Sequence, residues 1–183
     1  MVDNMSKKVL ILSGSPRRGG NSDTLCDSFL KGAIEAGNDA EKIFIRDKDI
    51  GYCVGCYHCA EHGGRCVFDD DMPYVLERML AADVIVLSSP VYFYSVDAQL
   101  KTVIDRCVAR WTEFRDKEFY FIMTSAEDTT SVMDGTIACM QGFVDCCSGS
   151  TVKGMILGKG LSDYGDVVGS PYMEQAYEMG KKV

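Results

Sequence analysis

Residues 9–22 run Val-Leu-Ile-Leu-Ser-Gly-Ser-Pro-Arg-Arg-Gly-Gly-Asn-Ser. The unbroken apolar run over 9–12 lacks the alternation of a strand with one wet face. It predicts a strand buried on both faces, which is the habit of parallel strands covered by helices. The run halts at Ser13, a loop of small and basic residues follows, and a helical pattern begins near Asn21. Where a strand feeds such a loop and then a helix, free backbone N–H groups and the positive end of the helix dipole converge on an anion. Ser13, Ser15 and Ser22 add hydroxyls, and Arg17 and Arg18 add charge. A phosphate suits this nest.

The same alternation continues along the chain. A helix over 21–36 places Leu25, Phe29, Ala33 and Ile34 on one face, and a short strand over 42–45 follows. A cysteine-rich loop occupies 50–68. Asp70 or Asp71 can cap the next helix, which carries Pro73 in its first turn and Met72, Val75, Leu76, Met79 and Leu80 on its apolar face. A buried strand over 84–87 precedes a helix with Val96, Leu100, Val103, Ile104, Cys107 and Trp111 on one side. Asp97, Lys101 and Asp105 form an i,i+4 charge ladder on another side. Strands over 119–123 and 152–157 and helices over 132–147 and 171–181 complete the pattern, with Thr136, Cys139, Met140, Phe143 and Cys147 facing inward from the first of those helices. Five strands alternating with helices predict an α/β three-layer sandwich around a five-stranded parallel sheet, formed by one domain over 1–183. Ligands of such sheets sit beyond the carboxyl ends of the strands.

At 183 residues with a net charge of −8, the chain has no cationic surplus with which to cover nucleic acid. No apolar run approaches the roughly 18–20 residues of a membrane span, and the first residues lack a signal-peptide core. A cytoplasmic protein with reduced thiols is expected.

The first loop is not a P-loop, because no Gly-Lys-Ser/Thr closes it, and its glycines at 14, 19 and 20 do not form Gly-x-Gly-x-x-Gly. A single phosphate, as in a mononucleotide, fits better than a dinucleotide; an ordinary turn is the plainer alternative. A second loop, 88–95, sets Tyr92, Phe93 and Tyr94 at a strand's carboxyl end, where a flat ligand can lie against them. A third, 124–130, is polar and suits either a heterocycle edge or a solvated turn.

The segments 13–22, 89–93 (Ser-Pro-Val-Tyr-Phe) and 99–106 (Gln-Leu-Lys-Thr-Val-Ile-Asp-Arg) together resemble the NADPH-dependent FMN reductase family. The resemblance implies a flavodoxin-like fold. It assigns Ser15, Arg17, Asn21 and Ser22, beside Ser13, to the FMN phosphate. It assigns Pro90, Val91, Tyr92 and Phe93 to the isoalloxazine ring, and Ser125 to the pyrimidine side. It further implies NAD(P)H as electron donor, a flavin, quinone or other small molecule as acceptor, and a homodimer or higher homo-oligomer with the flavin near the interface. The chemistry then resides on the flavin and requires no protein acid or base.

Cys53, Cys56, Cys59 and Cys66 crowd four of nine cysteines into the 50–68 loop. With nine cysteines in 183 residues, two more at fixed offsets arise by chance roughly once in several hundred trials. The spacing opens like a [4Fe–4S] motif but lacks the ferredoxin ending, since six residues precede Cys66 and no proline follows it. A four-thiolate zinc site and plain free thiols are the alternatives. The pattern is similar to the iron-sulfur flavoproteins, a branch of the same family, and that resemblance implies a cluster and a ferredoxin-type partner. His58 and His62 share the loop and are further candidate donors, while Cys107 and Cys139 read as packing residues and Cys26, early in the first helix, is assigned no redox chemistry.

Overall fold

Side chains along a strand alternate between faces, and β1 (Lys8–Ser13) is apolar on both. Leu10 and Leu12 join one core cluster, Val9 and Ile11 the other. In the computed structural model, which describes residues 6–183, β1 is flanked by β2 (Asp39–Phe44) and β3 (Val84–Pro90), followed by β4 (Glu118–Thr124) and β5 (Thr151–Gly158). All pairings are parallel and the order is β2-β1-β3-β4-β5.

Helix α1 (Asn21–Glu35) and α6 (Pro171–Lys181) cover the Val9/Ile11 face. A one-turn helix in the cysteine loop, α2 (His58–Glu61), is followed by α3 (Met72–Ala81), α4 (Ala98–Arg106) and α5 (Asp134–Asp145), and these three cover the Leu10/Leu12 face. The result is a flavodoxin-like α/β/α sandwich. Burial of each large apolar side chain between these layers contributes roughly 1.5–3 kcal/mol. Among the described residues no helix is long and apolar enough to cross a membrane.

Several local expectations need correction. The second strand begins at Asp39, and Ile45 belongs to the 3-10 turn after it. On α1, Leu25, Phe29 and Ala33 are buried, but Ile34 faces solvent. Helix α4 stops at Arg106, so Trp111 falls in a separate turn and is exposed instead of packing on the helix face. Asp97 does not join the charge ladder. It is the buried N-cap of α4 and accepts the Leu100 N–H at 2.8 Å, leaving Lys101 to pair with Asp105 at 2.5 Å. Within 132–147, a 3-10 turn (Thr130–Met133) precedes α5, and Cys139 is only partly buried.

Candidate functional site

The carboxyl ends of β1, β3 and β4 lie side by side, with Ser13 opposite Ser88 and Pro90 opposite Thr124. The three loops leaving them line one cleft with Ser15, Arg17, Asn21, Ser22, Pro90, Val91, Tyr92 and Ser125. These are eight of the ten residues the sequence nominates for a cofactor. The cleft has a fourth wall, Leu161 to Tyr164, which follows β5 and carries no sequence signal.

At its anionic end, α1 has no side-chain cap on its first-turn N–H groups. The Ser22 hydroxyl is 1% exposed and has no partner among the described residues. A buried hydroxyl without a hydrogen bond is costly, on the order of 1–3 kcal/mol, unless a ligand supplies the partner. Arg17 projects from the same turn, exposed. Arg18 turns away: its guanidinium lies 4.5 Å from the Phe44 ring centroid and pairs with Asp47. The Ser15 hydroxyl donates to Arg17 O at 2.8 Å and accepts the Arg17 N–H at 3.2 Å, which fixes the turn.

Two sequence-nominated residues are built into the scaffold. Ser13 is fully buried beneath the loop and outside the cleft, and its hydroxyl donates to Asp23 at 2.8 Å. Asp23 also accepts the Gly19 N–H at 2.8 Å and Lys42 at 2.9 Å. Burial works to raise the Asp23 pKa, but the Gly19 N–H, Lys42 and the Ser13 hydroxyl outweigh it and hold the carboxyl below its ordinary value. Asp23 is therefore a charged peg that pins the loop, already neutralised by Lys42.

Asn21 borders the cleft, but its side-chain amide is occupied. Nδ2 donates to Leu161 O at 3.3 Å and Asp163 O at 2.9 Å, and Oδ1 accepts the Val167 N–H at 3.2 Å. It straps the fourth wall to the first loop. Asn21→Ala removes three hydrogen bonds, each contributing about 1 kcal/mol. Amide exchange at Val167 should accelerate at least tenfold while β-sheet amides keep their protection; equal exchange in both proteins would refute the strap.

In the aromatic loop, Val91 N–H donates to Thr124 O at 2.8 Å, locking β3 to β4. Tyr92 and Ser95 exchange backbone hydrogen bonds at 2.9 and 3.1 Å around a two-residue turn in which Phe93 and Tyr94 both have positive φ, 48° and 63°. Such angles cost a non-glycine residue on the order of 1 kcal/mol each. The turn throws Phe93 wholly into solvent, so Phe93 lies outside the cleft, whereas Tyr92 borders it. At the third loop, the Ser125 hydroxyl donates to Glu127 O at 3.0 Å, and the Ser125 N–H and C=O hold Gly158 and Leu161.

The cysteine loop forms a separate site. Left-handed backbone at Gly55 and Tyr57 reverses the chain between cysteines. Cys53, Cys56, Cys59 and Cys66 all line one largely apolar pocket of about 150 Å³, with Val54, Phe68, Val108 and Arg106 in its walls. The four thiols are the soft donor set that iron-sulfur clusters and zinc take. They are not gathered on a common point: among the described residues no three His, Cys, Asp or Glu side chains close on a metal position. The His58 and His62 rings stack on each other at 3.7 Å, with His62 Nδ1 at 2.9 Å from His58 O. Cys26 and Cys107 lie in the core, where burial pushes the Cys26 thiol up to about 12 and the Cys107 thiol higher still.

The sequence profile of NADPH-dependent FMN reductases matches residues 7–137. The chain belongs to that family. An iron-sulfur flavoprotein of Methanocaldococcus jannaschii is 44% identical over 99 residues, 54% of this chain and 51% of that one. One of Methanosarcina thermophila is 39% identical over 101 residues, 55% and 52% of the two chains. The chain spans about half the length of these curated relatives. Among solved structures, an NAD(P)H:quinone oxidoreductase from Methanothermobacter marburgensis superposes with a TM-score of 0.76 at 18% identity, over 97% of this chain and 96% of that one. An azoreductase from Bacillus anthracis does so with 0.76 at 16% identity, over 97% and 100%. At these identities the likeness is one of fold. The two solved structures are named as oxidoreductases, and the family to which the chain belongs is one of FMN reductases.

Proposed function

We propose that the chain is an FMN-dependent oxidoreductase that takes reducing equivalents from NAD(P)H and passes them to a flavin, quinone or other small acceptor. The observation that carries the reading is the cleft itself, where an uncapped helix N-terminus and an unpartnered buried hydroxyl stand opposite the Pro90–Tyr92 edge. Arg17, Ser22 and the first N–H groups of α1 hold the phosphate, and Ser15, its hydroxyl bonded to Arg17, shapes the turn around it. Pro90, Val91 and Tyr92 flank the ring, and Ser125 with its neighbours closes the polar edge. Bound there, FMN supplies hydride acceptance and electron release. The protein orients the ring, satisfies the phosphate and limits the approach of water. The exposed Phe93–Tyr94 turn beside the cleft supports a homodimer in which a second copy covers the ring. A cytoplasmic, reducing location matches the nine cysteines without a disulfide among the described residues.

The phosphate assignment has a direct test. Flavin fluorescence quenching should show FMN binding more tightly than riboflavin, which lacks the phosphate. Arg17→Ala and Ser22→Ala should each shrink that preference by about ten- to a hundredfold, the magnitude of a charge-assisted hydrogen bond. Equal affinity for FMN and riboflavin in the unaltered chain would sink the assignment.

A second reading is favoured by the four cysteines on one pocket and by the names of the relatives. In it, Cys53, Cys56, Cys59 and Cys66 hold a [4Fe–4S] cluster, and electrons enter from a ferredoxin-type partner instead of a nicotinamide. Steady-state NADH and NADPH oxidation by anaerobically purified protein separates the two: turnover with a nicotinamide supports the first, its absence with a loaded cluster the second.

A further inference from the structure

The segment 99–106 ends in Arg106, which the flavin site leaves unused. Arg106 is the largest of the fully buried side chains, 2% exposed. Burying a guanidinium costs several kcal/mol unless its donors are satisfied. Nη1 donates to Asp70 Oδ2 and to Gly51 O, each at 2.6 Å, and Nη2 donates to Asp70 Oδ1 at 3.0 Å. The Phe68 ring lies 5.1 Å from the guanidinium carbon. Gly51 precedes the first cysteine of the loop, while Phe68 and Asp70 follow the last. One side chain from α4 therefore holds both ends of the loop. Asp70 tightens the closure by accepting the Gly51 N–H at 3.1 Å and the Met72 N–H at 3.0 Å.

The pair is also oriented. Arg106 lines the cysteine pocket beside Cys66 and Phe68, and Asp70 does not. The positive end faces the thiols and the negative end faces away. Closing a loop does not require a buried ion pair, since apolar residues of equal volume stabilise as well or better. A cation turned towards four thiolates has an electrostatic use: a four-thiolate iron-sulfur cluster is anionic and becomes more so when it gains an electron.

We propose that Arg106 is a positioning residue for the cysteine site, clamping both ends of the loop to α4 and holding a fixed positive charge behind Cys66 that favours the reduced state of the cluster. This rests on the reading of the loop as a cluster site given above. The step concerned is the addition of one electron to the cluster from a low-potential donor, with no proton moved and no bond to Arg106 formed.

The test uses the full chain, reconstituted anaerobically with ferrous iron and sulfide. Iron and acid-labile sulfide per chain report loading. Titration with dithionite, followed at the cluster absorbance, reports the midpoint potential. Asp70→Asn leaves the cation uncompensated and should raise the midpoint. Arg106→Gln leaves the carboxylate uncompensated and should lower it. Each should change the reduced-to-oxidised ratio at a fixed potential by on the order of tenfold, given charges several ångströms apart in a partly buried site. Arg106→Lys should restore the midpoint without restoring full loading, because an ammonium keeps the charge but lacks the fork that reaches Gly51 and Asp70 together. A purely structural role would lower loading in all variants and produce no pair of opposite shifts. Shifts of one sign, or none, in variants that load iron normally overturn the proposal alone. An unaltered chain that takes up no iron overturns the cluster reading and this proposal with it. If Arg106→Gln fails to load, Asp70→Asn decides, and an unchanged or lowered midpoint there overturns the proposal.

Discussion

Alanine at Gly32 or at Gly180 is expected to lower the stability of the chain by about 2 kcal/mol, as read from the urea midpoint. The two glycines face each other where α1 and α6 cross. A Cβ on Gly32 would be driven into the Tyr177 carbonyl oxygen and would lie 3.0 Å from Lys181 N. One on Gly180 would strike the Phe29 carbonyl oxygen and lie 3.0 Å from Ala33 N. Every obstacle is helix backbone, which cannot rotate aside, so the helices must separate. Overpacking of this kind costs about 1–3 kcal/mol and occasionally more, against which alanine's better helix propensity returns up to about 1 kcal/mol. Gly142 provides the control. It lies within α5, and a Cβ there meets nothing within 4 Å among the described residues, so Gly142→Ala should be stabilising by up to about 1 kcal/mol. The functional consequence follows from connectivity. The cleft wall after β5 hangs between that strand and α6, so loosening α6 should also weaken FMN binding. A Gly32→Ala protein as stable as the parent would show that the two helix backbones are not in the close contact described.

The parts of this fold that are legible in the sequence are those whose burial is symmetric. β1, β3 and β4 are covered on both faces and announce themselves as apolar runs. β2 is an edge strand with the pattern Asp-Ala-Glu-Lys-Ile-Phe, and only its last two residues are buried, so its start at Asp39 has no apolar marker. Helix faces are legible for as long as the helix continues. Trp111 keeps the period of α4, but the chain leaves the helix at Cys107. The site shows the same division. That three loops meet follows from strand order, and the cleft residues on them are accordingly found. Whether a polar side chain at such a loop faces a ligand or braces the scaffold depends on its direction, which periodicity does not encode. Ser13 and Ser22 are both serines flanking one loop, yet the first is tied to Asp23 and the second is unpartnered. The wall at Leu161 to Tyr164 escaped because it has neither period nor composition. Asn21, which the resemblance assigns to the phosphate, is the residue that straps this wall to the first loop.

The stability advantage of Asp97→Asn should grow as pH rises from 4 to 8, by at most about 4 kcal/mol. Asp97 caps α4 while buried at 1% exposure beneath the first and second loops, and its N–H donates to Ser89 Oγ at 2.9 Å. Burial pushes its pKa up to about 7, opposed only by the Leu100 N–H, and Oδ2 has no partner among the described residues. A carboxyl that titrates near 4 in the unfolded chain and near 7 in the native one keeps its proton on folding throughout that window. The native state then binds more protons than the unfolded state, so this group's contribution to stability falls as pH rises through it. About three pKa units at 1.36 kcal/mol each set the ceiling. Asparagine keeps the capping acceptor and cannot ionise, so its contribution is flat. Any constant cost of burying the amide displaces the curve without changing its slope. Asp23 and Asp70 run the opposite way: in both, burial is outweighed by hydrogen bonds and a cation that lower the pKa, so their stabilisation is present above the ordinary carboxylate range and lost as pH falls below it. They are common to both proteins and cancel in the difference. Urea midpoints at pH 5, 6, 7 and 8 should therefore diverge between the variant and the parent, with the change concentrated below pH 7; parallel curves would mean that Asp97 is ionised throughout and that the cap is solvated.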